Sequence, residues 1–256
     1  MGQQTDHFGQ QKHQKVLFLA ARGDRRALWC TPAPIMLNQP ACVIRENSMD
    51  KLIEGFRRFR DTNFAQNRGL FESLTHQGQT PKVLLIGCSD SRVDPAIIFD
   101  AQPGEMFVLR NVANLIPPYA PDQGHHGTSA AVEFAVRCLE VEHAIVLGHA
   151  RCGGVRALVE GQTAEQTDFI KGWIAIARTA RDRALALTLS AGQPIESARR
   201  MCEQETVAIS LANLMTFPWV RERVEQSRLM LHGWFYNMEE GKLSRLDPSS
   251  NTFQEV

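Results

Sequence analysis

Cys88, Asp90 and Arg92 stand within five residues of one another in the stretch 82–93, KVLLIGCSDSRV. His149 and Cys152 stand in a second stretch, 143–154, HAIVLGHARCGG. A thiol, a carboxylate and a guanidinium this close together are costly to bury unpaired, so the first stretch reads as a site. Two thiolates and one imidazole make a borderline-soft donor set, which suits Zn²⁺ and leaves a fourth tetrahedral position free. Taken singly, each piece is weak. A lone buried cysteine is ordinarily a small apolar residue, and one H-x-x-C does not define a metal site. Two such stretches, each behind its own apolar run, carry the metal reading.

Zinc held by Cys88, His149 and Cys152 has a formal charge near zero, so its pull on a water is weaker than that of a site with three neutral histidines. Such a site needs help from the protein. Asp90 is the candidate to accept a hydrogen bond from the water and orient it, and the fork of Arg92 is placed to hold Asp90 and keep it ionised. The bland alternative is an ion pair that only pins the loop. Cys30, Cys42, Cys138 and Cys202 lie outside the motifs and read as inert. His125 and His126 read as solvated loop residues, with a proton relay as the lesser reading.

The elements that must position these residues follow from periodicity. Val83-Leu84-Leu85-Ile86 and Ala144-Ile145-Val146-Leu147 are short apolar runs, each broken by a glycine, as in buried strands. The site residues therefore fall at the carboxyl ends of strands, where open α/β sheets bind ligands. Residues 106–109 read as a further strand, and 228–237 as an alternating one that turns at Glu240-Gly241 into a partner at 242–246. Helical spacing is expected over 50–67 (Leu52, Ile53, Phe56, Phe59, Phe64), around 167–187 and around 195–215. Asp94-Pro95 opens a helix, Thr128 or Ser129 caps another, and Gly153-Gly154 lets a third start close to the metal. Residues 75–82 read as a link carrying Gln79 into the first strand. The expected fold is α/β, with a mainly parallel central sheet, a late antiparallel edge strand and helices on both faces.

The 256 residues fit one domain plus an extension. Lys+Arg and Asp+Glu both number 28, so no basic excess points to nucleic acid or an anionic membrane. No apolar run approaches the roughly 20 residues of a membrane span. Six scattered cysteines in so long a chain fit a reducing compartment better than a disulfide scaffold, hence a cytoplasmic expectation. Residues 1–48 carry Pro32, Pro34 and Pro40 without sustained periodicity and read as a disordered extension, with a targeting peptide as the second reading. A myristoylation motif fails at Asp6. Residues 49–256 form the zinc domain, and Met49 is a candidate start.

CSDSR (88–92), RNVAN (110–114) and GHARCGG (148–154), in this order and spacing, resemble the β-class carbonic anhydrases, and the similarity runs from about Met49 to Leu243. The resemblance implies zinc-dependent, reversible hydration of carbon dioxide to bicarbonate and a proton, with Asp90 and Arg92 as catalytic residues. It further implies a mostly apolar substrate cleft at Gln79, Phe107, Val112, Phe134 and Gly153. Ordinary core packing is what Phe107, Val112 and Phe134 would otherwise indicate. Phe134 replaces a tyrosine found in some members, so a hydroxyl contact is absent. A homodimer, or an assembly of dimers, with the early helix reaching over a neighbour, is also implied. Some members close the site with the aspartate on zinc, aided by a bicarbonate pocket that uses an arginine and a tryptophan. Arg110 matches the arginine, but Leu85 stands in place of the tryptophan, so the open state is expected here. Among rivals, a cysteine phosphatase fails because Arg92 is four rather than six residues after Cys88 and Asp94 would repel phosphate. A closed structural zinc, and hydrolysis of small sulfur analogues of carbon dioxide, stay open.

Overall fold

Val83 to Ile86 enter the centre of a six-stranded sheet as β1 (Val83–Cys88), beside β2 (Met106–Asn111) and β3 (His143–His149). The rest are β4 (Met230–Asn237), β5 (Lys242–Asp247) and β6 (Thr252–Glu255), in the order β2-β1-β3-β4-β5-β6. The first four pair in parallel and the last two antiparallel. The expected α/β fold with a mainly parallel sheet is therefore observed, but the antiparallel edge has a second strand. That strand, β6, is only four residues long, too short for a readable alternation.

The computed structural model describes residues 48–161 and 167–256. The expectations for residues 1–47, including Cys30 and Cys42, lie outside the described residues. The chain divides into two units, Met1–Phe56 and Arg57–Val256, and the site lies wholly in the second.

Side chains alternate between the two faces of the sheet, as the pleat requires. Leu84, Ile86, Ala144 and Val146 join one buried cluster with Val207 and Leu214, while Leu85, Ile145 and Leu147 form another against Phe99, Met106 and Trp234. Val83 pairs with His143 and Gly87 with Leu147, so β1 and β3 start level and β3 runs one residue further. The chain leaves β1 on one side to form β2 and returns on the other to form β3. Strand order thus reverses at β1, and the carboxyl ends of β1 and β3 flank a topological switch point.

The helices are α1 (Ser48–Phe59), α2 (Arg68–Gln77), α3 (Pro95–Ile98), α4 (Gly127–Glu133), α5 (Gly153–Glu160), α6 (Ile170–Ile174), α7 (Arg178–Ser190), α8 (Ile195–Leu214) and α9 (Pro218–Glu225). A π-helical turn, Arg60–Phe64, follows α1, and α2 extends three residues into the span expected to be a link. Phe71 packs α2 against the preceding turn, its ring lying 4.9 Å from Phe64 and 5.8 Å from Phe59. The Asp94 cap forms as expected, its Oδ1 accepting the Ala96 N–H at 3.0 Å. The expected Thr128 or Ser129 cap does not form: α4 starts at Gly127 with His126 in the cap position. The Thr128 hydroxyl instead lies 3.4 Å from Asn111 Nδ2.

Candidate metal centre

Cys88 is the last residue of β1 and His149 the last of β3, while Cys152 precedes α5. One ligand atom from each lies within 4.8 Å of the others, and all three residues are buried. The Cys88 and Cys152 sulfurs are 3.9 Å apart. His149 Nδ1 lies 2.9 Å from the Ala150 carbonyl, so it donates there and leaves a lone pair on Nε2. That Nε2 is buried with no hydrogen-bond partner among the described residues. A buried, unpaired imidazole nitrogen beside two sulfurs has the chemistry of a metal ligand, and the residues fit the group expected of them.

The electrostatics agree. The Cys88 thiol is held down to about 4 by the Cys152 sulfhydryl first, against burial, and then by His149. Cys152 is pushed up, because it keeps the proton that the two sulfurs share and because it is buried. Burial opposes the charged form of His149, but the neighbouring Cys88 thiolate outweighs it and moves the imidazole upward. Cys202 is pushed up to about 12, by burial first, and stays protonated.

Asp90 and Arg92 meet in a bidentate pair. Arg92 Nε donates to Asp90 Oδ1 at 2.9 Å and Nη2 to Oδ2 at 2.7 Å. The Arg92 backbone N–H adds a bond to Oδ1 at 3.0 Å. The Arg92 side chain holds the Asp90 carboxyl down to about 2. Arg92 Nη2 also donates to the Arg151 carbonyl at 3.0 Å, tying the two motif loops together.

Arg110, matched in the sequence to a bicarbonate-pocket arginine, has four of its five N–H donors engaged on the first loop. Nε donates to Cys88 O at 2.9 Å, Nη2 to Asp90 O at 2.7 Å and to Val93 O at 3.1 Å, and Nη1 to Asp94 Oδ2 at 3.0 Å. It braces the loop that carries Cys88, Asp90 and Arg92.

The residues assigned to a substrate cleft are not gathered into one group within this chain. Val112 packs on the same apolar cluster as Cys88 and Cys152. Gly154 explains the close fit, since a Cβ there would meet Val112 Cγ1 at 2.7 Å. Trp173 Nε1 fixes the turn by donating to Val112 O at 2.8 Å. Gly153 lines a cavity of about 870 Å³ with Arg92, Cys152 and Glu203. Phe107 and Phe134 instead pair with each other at 5.7 Å, and Phe134 is 45% exposed. Gln79 is exposed in the link before β1. His125 and His126 line a separate cavity of about 780 Å³ with Val112 and Trp173, and His126 Nε2 lies 2.6 Å from Asp122 Oδ1. Sequence reasoning missed Trp173 and Glu203, whose carboxylate accepts the Cys152 N–H at 3.0 Å. Neither lies in a motif that carries chemistry.

An adjacent pair of parallel strand ends at a switch point, presenting Cys, His and Cys, defines an α/β protein with a metal-type centre. Comparison with known proteins narrows the class. The family model described as carbonic anhydrase matches residues 83–243. A carbonic anhydrase of Pseudomonas aeruginosa is 40% identical over 206 residues, covering 80% of this chain and 90% of that protein. One from Synechococcus elongatus is 38% identical over 204 residues, covering 79% and 73%. The solved β-carbonic anhydrase CcaA superposes with a TM-score of 0.75 at 36% identity, over 81% of this chain and 92% of that one. A structure described as one of two tetrameric β-carbonic anhydrases from Sordaria macrospora gives 0.69 at 29% identity, over 78% and 98%. The chain belongs to the β-class carbonic anhydrases, a family of enzymes.

Proposed function

We propose that the protein catalyses the reversible hydration of carbon dioxide to bicarbonate and a proton, with Zn²⁺ held by Cys88, His149 and Cys152. The observation that carries this reading is the buried, partnerless His149 Nε2 facing two sulfurs inside a β-class fold. Zinc bound there supplies a Lewis acid that makes a nucleophile of water near neutral pH.

The protein's own part is orientation. Asp90 offers about four lone-pair sites, and Arg92 takes three of them. One on Oδ2 is left to accept a hydrogen bond from the attacking water. A carboxyl held at about 2 is a poor proton acceptor, so Asp90 directs the water rather than deprotonating it. Arg92 fixes that direction and Arg110 keeps the loop in place. Val112 and Gly153 border the centre, while Gln79, Phe107 and Phe134 are assigned to the cleft on resemblance and would act from a subunit boundary. The exposure of Phe134 and Gln79 agrees with a homodimer or an assembly of dimers. A structural zinc would need Asp90 as its fourth ligand, and the bidentate pair with Arg92 works against that. The four described cysteines are free of disulfides, in keeping with a cytoplasmic setting. No described helix is long and apolar enough to cross a membrane.

The test is stopped-flow carbon dioxide hydration with and without a chelator, beside metal analysis. One zinc per chain, activity lost with the metal, and loss of both in Cys152→Ala are expected. Full metal retention in Cys152→Ala refutes the ligand set. A monomer by sedimentation that keeps full activity refutes the dimer.

A further inference from the structure

Glu203 is a buried carboxylate to which the proposed chemistry assigns no task. It is 6% exposed, it sits in α8, and it accepts the Cys152 N–H at 3.0 Å. Its own carbonyl accepts from Thr206 Oγ1 at 2.8 Å.

The fold brings it there by a specific close approach. At Gly148, a Cβ would meet Val207 Cγ2 at 2.6 Å and would lie 3.4 Å from Glu203 O. A side chain at Gly148 would push α8 away from the end of β3 and withdraw Glu203 from Cys152.

The turn it contacts is strained. Arg151, between the ligands His149 and Cys152, has φ of 59°, a conformation unfavourable for a residue with a side chain. Such a conformation persists where its surroundings over-determine it. Here Arg92 Nη2 holds the Arg151 carbonyl at 3.0 Å, Glu239 Oε1 holds its guanidinium at 2.9 Å, and Glu203 holds the next N–H.

We propose that Glu203 is a positioning residue for the metal centre: its carboxylate holds the turn from His149 to Cys152 so that the Cys152 sulfur faces Cys88 and His149 before any metal binds. The proposal rests on the reading of those three residues as the zinc ligands. Outer partners that orient metal ligands are worth about 10–100-fold in metal affinity. Glu203 reaches the backbone of a ligand from 51 residues away, across a packed helix–sheet contact.

The test measures the Zn²⁺ dissociation constant by competition with a chromophoric chelator. Glu203→Gln keeps an acceptor oxygen at the same reach, Glu203→Asp withdraws it by one methylene, and Glu203→Ala removes it. Glu205→Gln is the control, since Glu205, also on α8, pairs instead with Arg183 of α7 at 3.2 Å. The Gln variant and the control should stay within about threefold of the parent, while the Asp and Ala variants weaken binding about 10–100-fold. The absorption bands of the Co²⁺-loaded thiolates should shift in the Asp variant, which a purely structural role would not require. Asp and Ala variants that bind as tightly as the parent overturn the proposal, as does a Gln variant that weakens as much as Ala. Should the Ala variant fail to fold, the Asp–Gln comparison decides alone. A parent that binds no Zn²⁺ overturns the ligand reading and this proposal with it. A tight-binding parent with unaffected variants overturns only this proposal.

Discussion

Arg92 grips both oxygens of Asp90 at once, Nε to Oδ1 at 2.9 Å and Nη2 to Oδ2 at 2.7 Å, across a separation of two residues. The same guanidinium reaches the carbonyl of Arg151 in the other motif. The pair therefore sets the direction of one carboxylate lone pair and the spacing of two loops.

Arg92→Lys keeps the positive charge but replaces a planar fork with a point charge, so Asp90 is no longer held at both oxygens. Hydration activity should fall by on the order of 10²-fold, with zinc content unchanged. Stopped-flow rates beside metal analysis check this. Activity within a factor of about two of the parent would mean that the fork does not direct the chemistry.

The centre should stay open near neutral pH, with Asp90 on Arg92 rather than on the metal. Closing it would break the bidentate pair, and two features work against that change. Arg110 already spends four of its five N–H donors on Cys88, Asp90, Val93 and Asp94. Leu85, where some members have tryptophan, is fully buried and carries no side-chain donor. Activity should show no steep inhibition by bicarbonate and no cooperative collapse below about pH 8. A neutral-pH crystal structure with an Asp90 oxygen bound to zinc would show the reverse.

Acid should weaken the fold through His232. Burial first, then the charges of His143 and Arg245, lower its pKa below the ordinary 6.5. The ring is half-buried, 3.1 Å from His143 and near Trp234, so a positive charge on it is unfavourable. Below about pH 6.5 the unfolded chain binds a proton that the folded chain resists, so this contribution is intact above that value and is lost as pH falls towards the depressed folded value. The drop in melting temperature between pH 7.5 and about pH 5.5 should be smaller in His232→Gln than in the parent. Identical drops would remove His232 from the account.

A chain starting at Met49 should fold, bind zinc and hydrate carbon dioxide, because the site and every contact described for it lie beyond Arg57. Circular dichroism, metal content and rates of the shortened chain test the division at 48/49. Loss of folding would make the preceding residues structural.

What could be read from the chain alone was local. Each ligand-bearing stretch is an apolar run, a glycine and then reactive side chains, so the strand, its end and its cargo all lie within about a dozen residues. Parallel strands put such ends on one edge of a sheet, which made a Cys88, His149 and Cys152 cluster an economical expectation. The Asp90–Arg92 pair was equally legible, since two residues of separation needed no fold to close it. Other features depended on long-range packing. The distances joining Glu203 to Cys152, Trp173 to Val112 and Arg110 to the Cys88 loop span 51, 61 and 22 residues. An exposed glutamate and a buried one look alike in a helix such as α8, and only the bare Gly148 against Val207 decides which this is. The sheet edge shows the same limit, because β6 is held by pairing with β5 rather than by any pattern of its own. Ligand identity is a property of residue type at a strand end, whereas the bracing of those ligands is a property of which distant surfaces come to touch.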